Sequence, residues 1–212
     1  MKKVIAFSLW GQSPRYWVGA RRNIDLAAIY YPGWICRFYV EKGLPGDLLA
    51  MLQGDNVEVE LMERRDQFGG RFWRFLAAAD PEMDLVLSCD CDSRIGSREV
   101  AAVRAWLESG MAFHIMRDHP CHQFPILGGM WGCRKGVLPQ IREMMAGWTY
   151  ADVWGCDQDF LAAMIYPLVR DCALEHSELG IAFGGAIQPF PTNRADREFV
   201  GQIFDENEVG LP

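Results

Sequence analysis

Residues 83–96 read M-D-L-V-L-S-C-D-C-D-S-R-I-G, and this stretch decides the fold. The apolar run Leu85, Val86 and Leu87 passes through Ser88 and Cys89 into Asp90, Cys91 and Asp92, between Pro81 and Gly96. A run of this kind suits a buried strand of a parallel sheet, with helices on both faces. Ligands of such sheets collect at the carboxyl ends of the strands, and the acids stand there. Side chains alternate along an extended segment, so Asp90 and Asp92 are expected on one side and Cys91 on the other. Two like charges so placed repel unless a cation lies between them. Hard divalent ions such as Mg²⁺ or Mn²⁺ take oxygen ligands, commonly one or two carboxylates together with substrate phosphates. The alternative is that the acids only cap the helix that follows.

On the amino-terminal side, residues 4–10 read as the first buried strand, broken by Gly11-Gln12-Ser13-Pro14. Ser13 is placed to cap a helix that carries Pro14 at its first position and runs toward Pro32. Residues 34–40 are a second strand interrupted by Arg37, residues 45–53 a helix, and residues 57–62, with alternating acids, an edge strand. Arg64, Arg65, Arg71 and Arg74 follow, interleaved with Phe72, Trp73, Phe75 and Leu76. Arg71 and Arg74 share a helical face, which is either solvated or paired with phosphate or carboxylate.

Beyond the acids, residues 100–107 repeat at helical spacing up to Ser109-Gly110, and residues 111–116 form a strand with His114 as a core histidine. The turn 117–122 holds Arg117, Asp118, His119 and His122. Both His119 and His122 suit a base or an acceptor-hydroxyl contact as well as an ordinary surface position. Residues 126–134 read as a strand with Gly128, Gly129 and Gly132 leaving room for a close approach. Residues 139–146 and 160–168 are helical, and Asp157 sits near a helix start, where a carboxylate also serves as a cap. From Gly180 onward the chain is irregular and aromatic, suited to wrap the body or cover a site.

The chain has 212 residues, half of them hydrophobic and 23% charged, with 12 Phe, 8 Trp and 6 Tyr, which fits one globular α/β domain and excludes disorder. A net charge of -7 argues against general binding to a nucleic-acid backbone, so an anionic ligand must be met by local arginines. No run approaches the length of a membrane span and the first residues do not read as a signal peptide, so a cytoplasmic location is expected. The 7 cysteines are odd in number and lack a C-x-x-C pair, which fits reduced thiols.

The ordered set S-C-D-C-D-S-R (88–94), I-L-G-G-M-W-G (126–132) and W-G-C-D-Q-D-F-L (154–161) resembles the GT-A glycosyltransferases. It is similar to the small nucleotide-sugar-dependent domains of large algal viruses and bacterial polysaccharide loci. The resemblance covers nearly the whole length, from S-L-W-G (8–11) to P-F-P-T (189–192) and F-V-G-Q (199–202), and implies a single GT-A (Rossmann-like) domain over residues 1–212 with a mixed, mostly parallel central sheet and helices on both faces. It implies a nucleoside-diphosphate sugar donor, a glycan or other hydroxyl acceptor, and Mn²⁺ or Mg²⁺. Asp90 and Asp92 match the D-x-D motif that meets the donor and metal. Ser8, Leu9 and Trp10 match the strand end that receives the nucleotide, and Gly128 and Gly129 the glycine pair beside the sugar. Asp157-Gln158 resembles the D-Q pair of glycogenin-like retaining enzymes, which favours retention. Those enzymes use a late histidine as a third metal ligand; His176 is the late histidine here, in a context that departs from the pattern.

On this reading Arg71, Arg74 or Arg94 helps neutralise the leaving diphosphate, while Asp157, Asp118 and His119 are the catalytic candidates. Further domains or an oligomer are expected to complete a chain without an anchor. Two alternatives remain. The first is a zinc-binding module formed by Cys89, Cys91, His119, Cys121, His122 and Cys133. A sugar nucleotidyltransferase would also pair carboxylates with a metal, but it wants a Gly-rich basic loop after the first strand, and residues 11–15 make a poor one.

Overall fold

The structure, a computed structural model, describes residues 1–194 and 198–211. β1 (Lys3–Leu9) is followed by α1 (Pro14–Tyr30), β2 (Ile35–Glu41), the short α2 (Gly46–Ala50) and β3 (Val57–Met62). A 3₁₀ helix, Gly69–Ala79, then precedes β4 (Leu85–Ser88), α3 (Ser97–Ser109), β5 (Phe113–Arg117) and β6 (Trp131–Arg134). α4 (Ile141–Gly147), α5 (Cys156–Phe160), a π turn (Leu161–Ile165) and α6 (Tyr166–Val169) lead to β7 (Ala173–Ser177) and β8 (Ile187–Gln188).

These strands form one sheet in the order β3-β2-β1-β4-β6-β5-β7-β8. Every pairing is parallel except those of β6, which runs antiparallel to β4 and β5. β1 has β2 on one side and β4 on the other, so the chain order reverses between β1 and β4, where such sheets open a crevice.

Alternation along β1 sorts the core into two layers. Ile5, Phe7 and Leu9 pack with Trp17 of α1 and Trp106 of α3. Val4 and Ala6 face the other way, toward Phe75 of the 3₁₀ helix and Phe160 of α5. By the same alternation Ser8 points at the 3₁₀ helix, where its hydroxyl accepts from the Arg74 N–H at 2.9 Å.

Several local expectations are corrected. β4 ends at Ser88, and Asp90 to Asp92 lie in a turn rather than an extended segment; the Ser93 N–H donates to the Asp90 carbonyl at 3.3 Å. Ser13 makes no side-chain cap, and Pro14 alone sets the start of α1. The helix expected over 45–53 is only α2, and the strand expected over 126–134 shrinks to β6. Gly128 and Gly129 occupy a turn before it. The helix expected over 160–168 is divided by the π turn. Pro167 lacks an N–H and crowds the preceding turn, so the wider turn absorbs the conflict.

The segment after Gly180 straps back across the sheet. Phe190 and Val200 are buried in the α1/α3 layer, and the Phe204 N–H donates to the Asp92 carbonyl at 2.8 Å. Residues 195–197 of the strap lie outside the described residues.

Candidate active site

A cleft of about 760 Å³ opens at the carboxyl ends of β1 and β4. Ser8, Leu9 and Trp10 form one end of it. Gly70 lets the Trp10 ring lie against the 3₁₀ helix, because a Cβ there would stand 2.9 Å from the indole. Beside them the Gly11 N–H donates to the Glu41 carboxylate at 2.9 Å, and Arg64 pairs with Glu41 at 3.0 Å.

The 3₁₀ helix is long for its kind, and its three-residue repeat stacks side chains three apart. Arg71 and Arg74 are one such pair, Phe72 and Phe75 another. Arg74 is 4% exposed and is no solvated face: Nη1 holds Asp90, Nη2 lies 3.2 Å from Asp157, and Arg71 approaches Asp157 at 3.9 Å. Trp154 sits on the rim, its ring 5.5 Å from the Arg71 guanidinium.

Asp90 and Asp92 line the same cleft despite the turn between them. Asp92 is buried and pairs with Arg15 at 3.2 Å. Burial first, and then the charge of Asp90, push the Asp92 carboxyl up to about 6 against the pull of Arg15. Two repelling carboxylates at one cleft are a fitting oxygen pair for a hard dication. Among the described residues no third His, Cys, Asp or Glu joins them, so water and ligand oxygens would complete the shell.

Asp157 is the second residue of α5, Gly155 with a φ of 88° stands just before that helix, and no side chain caps it. The Asp157 carboxylate instead turns to the two arginines. Burial raises its pKa first, opposed by Arg74, with Asp90 pushing upward. Gln158 lines the cleft, and its Oε1 is buried with no partner among the described residues, an acceptor left for a ligand. Gly128 and Gly129 are needed for proximity: a Cβ on Gly128 would overlap Arg74 and Asp157, and one on Gly129 would stand 2.6 Å from Asp90 Cγ.

Other candidates are placed elsewhere. Asp118 is fully buried and does not line the cleft; it pairs with Arg98 at 2.8 Å and Arg194 at 3.3 Å and accepts the Val200 N–H at 2.9 Å. Its position ties the strap down, because a fully buried carboxylate persists only when cations and N–H groups satisfy it. Arg94 likewise holds the strap, pairing with Glu208 at 3.0 Å. His176 lies in the core, 2.8 Å from His114, which stacks on Trp106. His119 and His122 line the cleft, and Phe199 of the strap stacks on His119 at 4.1 Å.

The six cysteines and histidines proposed for zinc form no common cluster among the described residues. His119, Cys121 and His122 line the cleft. Cys89 and Cys91 lie in one core layer and Cys133 in the other, and burial raises all three thiols above their ordinary range.

Glu41 has no place in the sequence argument, and Arg15, Trp154 and Phe199 enter it only as members of longer stretches, not as residues of a site. An isolated charge or aromatic ring carries no local pattern, although Trp154 begins the W-G-C-D-Q-D-F-L stretch.

No protein-family model and no curated protein matches this chain. Solved structures do resemble it. A glycosyltransferase involved in glycosylation of the major capsid of PBCV-1 aligns with a TM-score of 0.53 at 16% identity, over 84% of this chain and 82% of that one. Glucosyl-3-phosphoglycerate synthase from Mycobacterium tuberculosis, in complex with Mn²⁺, UDP and phosphoglyceric acid, aligns with a TM-score of 0.52 at 14% identity, over 82% and 68%. 4-Diphosphocytidyl-2C-methyl-D-erythritol synthase from Anaerococcus prevotii gives 0.52 at 11% identity, over 82% and 87%. The chain therefore has the single-domain GT-A, Rossmann-like α/β fold of these glycosyltransferases, a fold that also carries the diphosphocytidyl-methylerythritol synthase.

Proposed function

We propose that this protein is a metal-dependent glycosyltransferase that moves a sugar from a nucleoside diphosphate to a hydroxyl of a glycan or similar acceptor. The observation that carries the reading is the convergence of Asp90, Asp92, Arg71, Arg74 and Asp157 on one cleft at the β1/β4 crevice. Similarity of fold to an Mn²⁺- and UDP-bound synthase supports it.

Asp90 and Asp92 would hold Mn²⁺ or Mg²⁺, which supplies Lewis-acid neutralisation of charge on the leaving diphosphate. Ser8, Leu9 and Trp10 hold the nucleotide end. Arg71 adds positive charge toward the developing phosphate anion. Asp157 and Gln158 face the transferred sugar, and Arg74 keeps Asp157 oriented beneath it. A carboxylate fixed there favours a retaining outcome.

A panel of nucleoside-diphosphate sugars, each titrated by calorimetry with and without Mn²⁺, tests the reading. Binding of one donor that requires Mn²⁺ and is abolished by Asp92→Ala is expected. Unchanged affinity in that variant would refute the site. Release of pyrophosphate from a nucleoside triphosphate and a sugar phosphate would instead assign a nucleotidyltransferase. The loop 11–15 argues against that outcome, since its one cation, Arg15, is already engaged by Asp92.

A further inference from the structure

The turn R-D-H-P-C-H, residues 117–122, leaves β5 and folds back on itself. The N–H groups of Asp118 and His119 both donate to His122 Nδ1, at 3.0 and 3.2 Å. A ring nitrogen that accepts carries no proton, so the neutral ring has its proton on Nε2. Burial, then His119, Arg194 and Arg117, push the His122 pKa down to about 4, with Asp118 pulling the other way. The ring is neutral at pH 7. One nitrogen lone pair is committed to the backbone and the other nitrogen already bears hydrogen, so His122 has no base function to offer. What it has is one N–H donor. His122 lines the cleft, and among the described residues the hydrogen bonds of its ring are those at Nδ1.

The sheet order fixes where this donor stands. β6 and β5 lie on the far side of β4 from β1, so the turn after β5 and the nucleotide end after β1 flank the acids from opposite sides. The arginines that line the cleft, Arg64, Arg71 and Arg74, all precede β4 in the chain and belong to the 3₁₀ helix and its approach. The rings of His119 and Phe199 stand 5.8 and 5.7 Å from that of His122, and among the described residues no arginine beyond those three lines the cleft. Arg98, Arg117 and Arg194 stand behind the turn and do not line the cleft: Arg98 and Arg194 pair with Asp118, and Arg117 with Glu175. A phosphate or carboxylate needs a charged partner, whereas a neutral sugar needs N–H donors and apolar surface.

We propose that His122, with His119 and Phe199 beside it, forms the acceptor end of the cleft and donates from Nε2–H to an oxygen of an uncharged sugar. This rests on the glycosyltransferase reading above and adds the acceptor's chemical class.

Long-range ¹H–¹⁵N spectra of the imidazoles test the donor without any acceptor. The His122 proton is expected on Nε2, with no titration between pH 5 and 8; a proton on Nδ1, or titration near the ordinary histidine value, would overturn the proposal. Acceptor use is tested with methyl glycosides and sugar phosphates as probes, with the donor identified by calorimetry. In His122→Asn the amide oxygen replaces Nδ1 for the turn while the reach of Nε2–H is lost. Its KM for the methyl glycoside should rise about tenfold, the worth of one hydrogen bond, with donor Kd within about twofold of wild type. His122→Gln restores a donor near Nε2 and should recover most of that loss. An unchanged KM in His122→Asn, or preference for sugar phosphates, would overturn the assignment. Wild-type protein that binds no nucleotide sugar would instead sink the glycosyltransferase reading, and the acceptor assignment with it.

Discussion

Arg74 holds the Asp157 carboxylate at 3.2 Å through Nη2 while its other arm takes Asp90, so one buried guanidinium joins the acid turn after β4 to the start of α5. Arg74→Leu would leave Asp157, which is 4% exposed, without its principal cation. Breaking a buried pair in this way costs about 3–5 kcal/mol. Without the arginine the Asp157 pKa rises further, so the folded state gains protons relative to the unfolded one. The penalty should be largest above neutral pH and shrink as pH falls, which chemical denaturation across pH measures.

Gly128 and Gly129 have ordinary backbone angles, so alanine there meets a steric problem and not a conformational one. Gly129→Ala must displace Asp90, with a destabilisation of about 1–3 kcal/mol and loss of Mn²⁺-dependent donor binding. Gly147→Ala, where a Cβ meets nothing within 4 Å, is the control and should be neutral or mildly stabilising. Calorimetry and thermal unfolding of the two variants separate the cases.

Asp118 and Asp157 are both buried acids with two arginine neighbours, yet only Asp157 lines the cleft. Asp118→Ala should release the strap, lowering stability by about 3–5 kcal/mol and exposing residues 180–211 to limited proteolysis. Asp157→Asn should leave the proteolytic pattern unchanged and reduce transfer far more than donor binding.

Behind the acids, Glu99 of α3 is buried and accepts from the Tyr31 hydroxyl at 3.1 Å. Burial raises its pKa from 4.5 to about 7, with Tyr31 opposing. A raised acid binds its proton in the folded state before it does so unfolded, so its contribution to stability falls as pH rises from 4.5 to about 7. Glu99→Gln should match wild type near pH 4 and exceed it by about 3 kcal/mol at pH 8. Urea melts at the two pH values check the sign.

The central strand, the edge strand β3, the helix after the acids and the core histidine His114 were legible because each is a periodic burial pattern or a terminator such as Gly110. Asp90 and Asp92 reached a common cleft although the alternation argument for them failed: the chain turns after Ser88, and the place at the strand end mattered more than the zigzag. The division of the helix at Pro167 and the turn at Gly128-Gly129 were misread for the opposite reason, since a short apolar run looks the same whether or not backbone hydrogen bonds can close around it.

Apolar periodicity and strand-end chemistry are properties of neighbours along the chain, so the sequence alone determined an α/β sheet with an acidic centre after β4. The role of each remaining charge depends on which partner lies about 3 Å away, and those partners come from distant segments. Only the tertiary structure brought Arg74 between Asp90 and Asp157, buried Asp118 beneath the strap, and turned Nδ1 of His122 to the backbone.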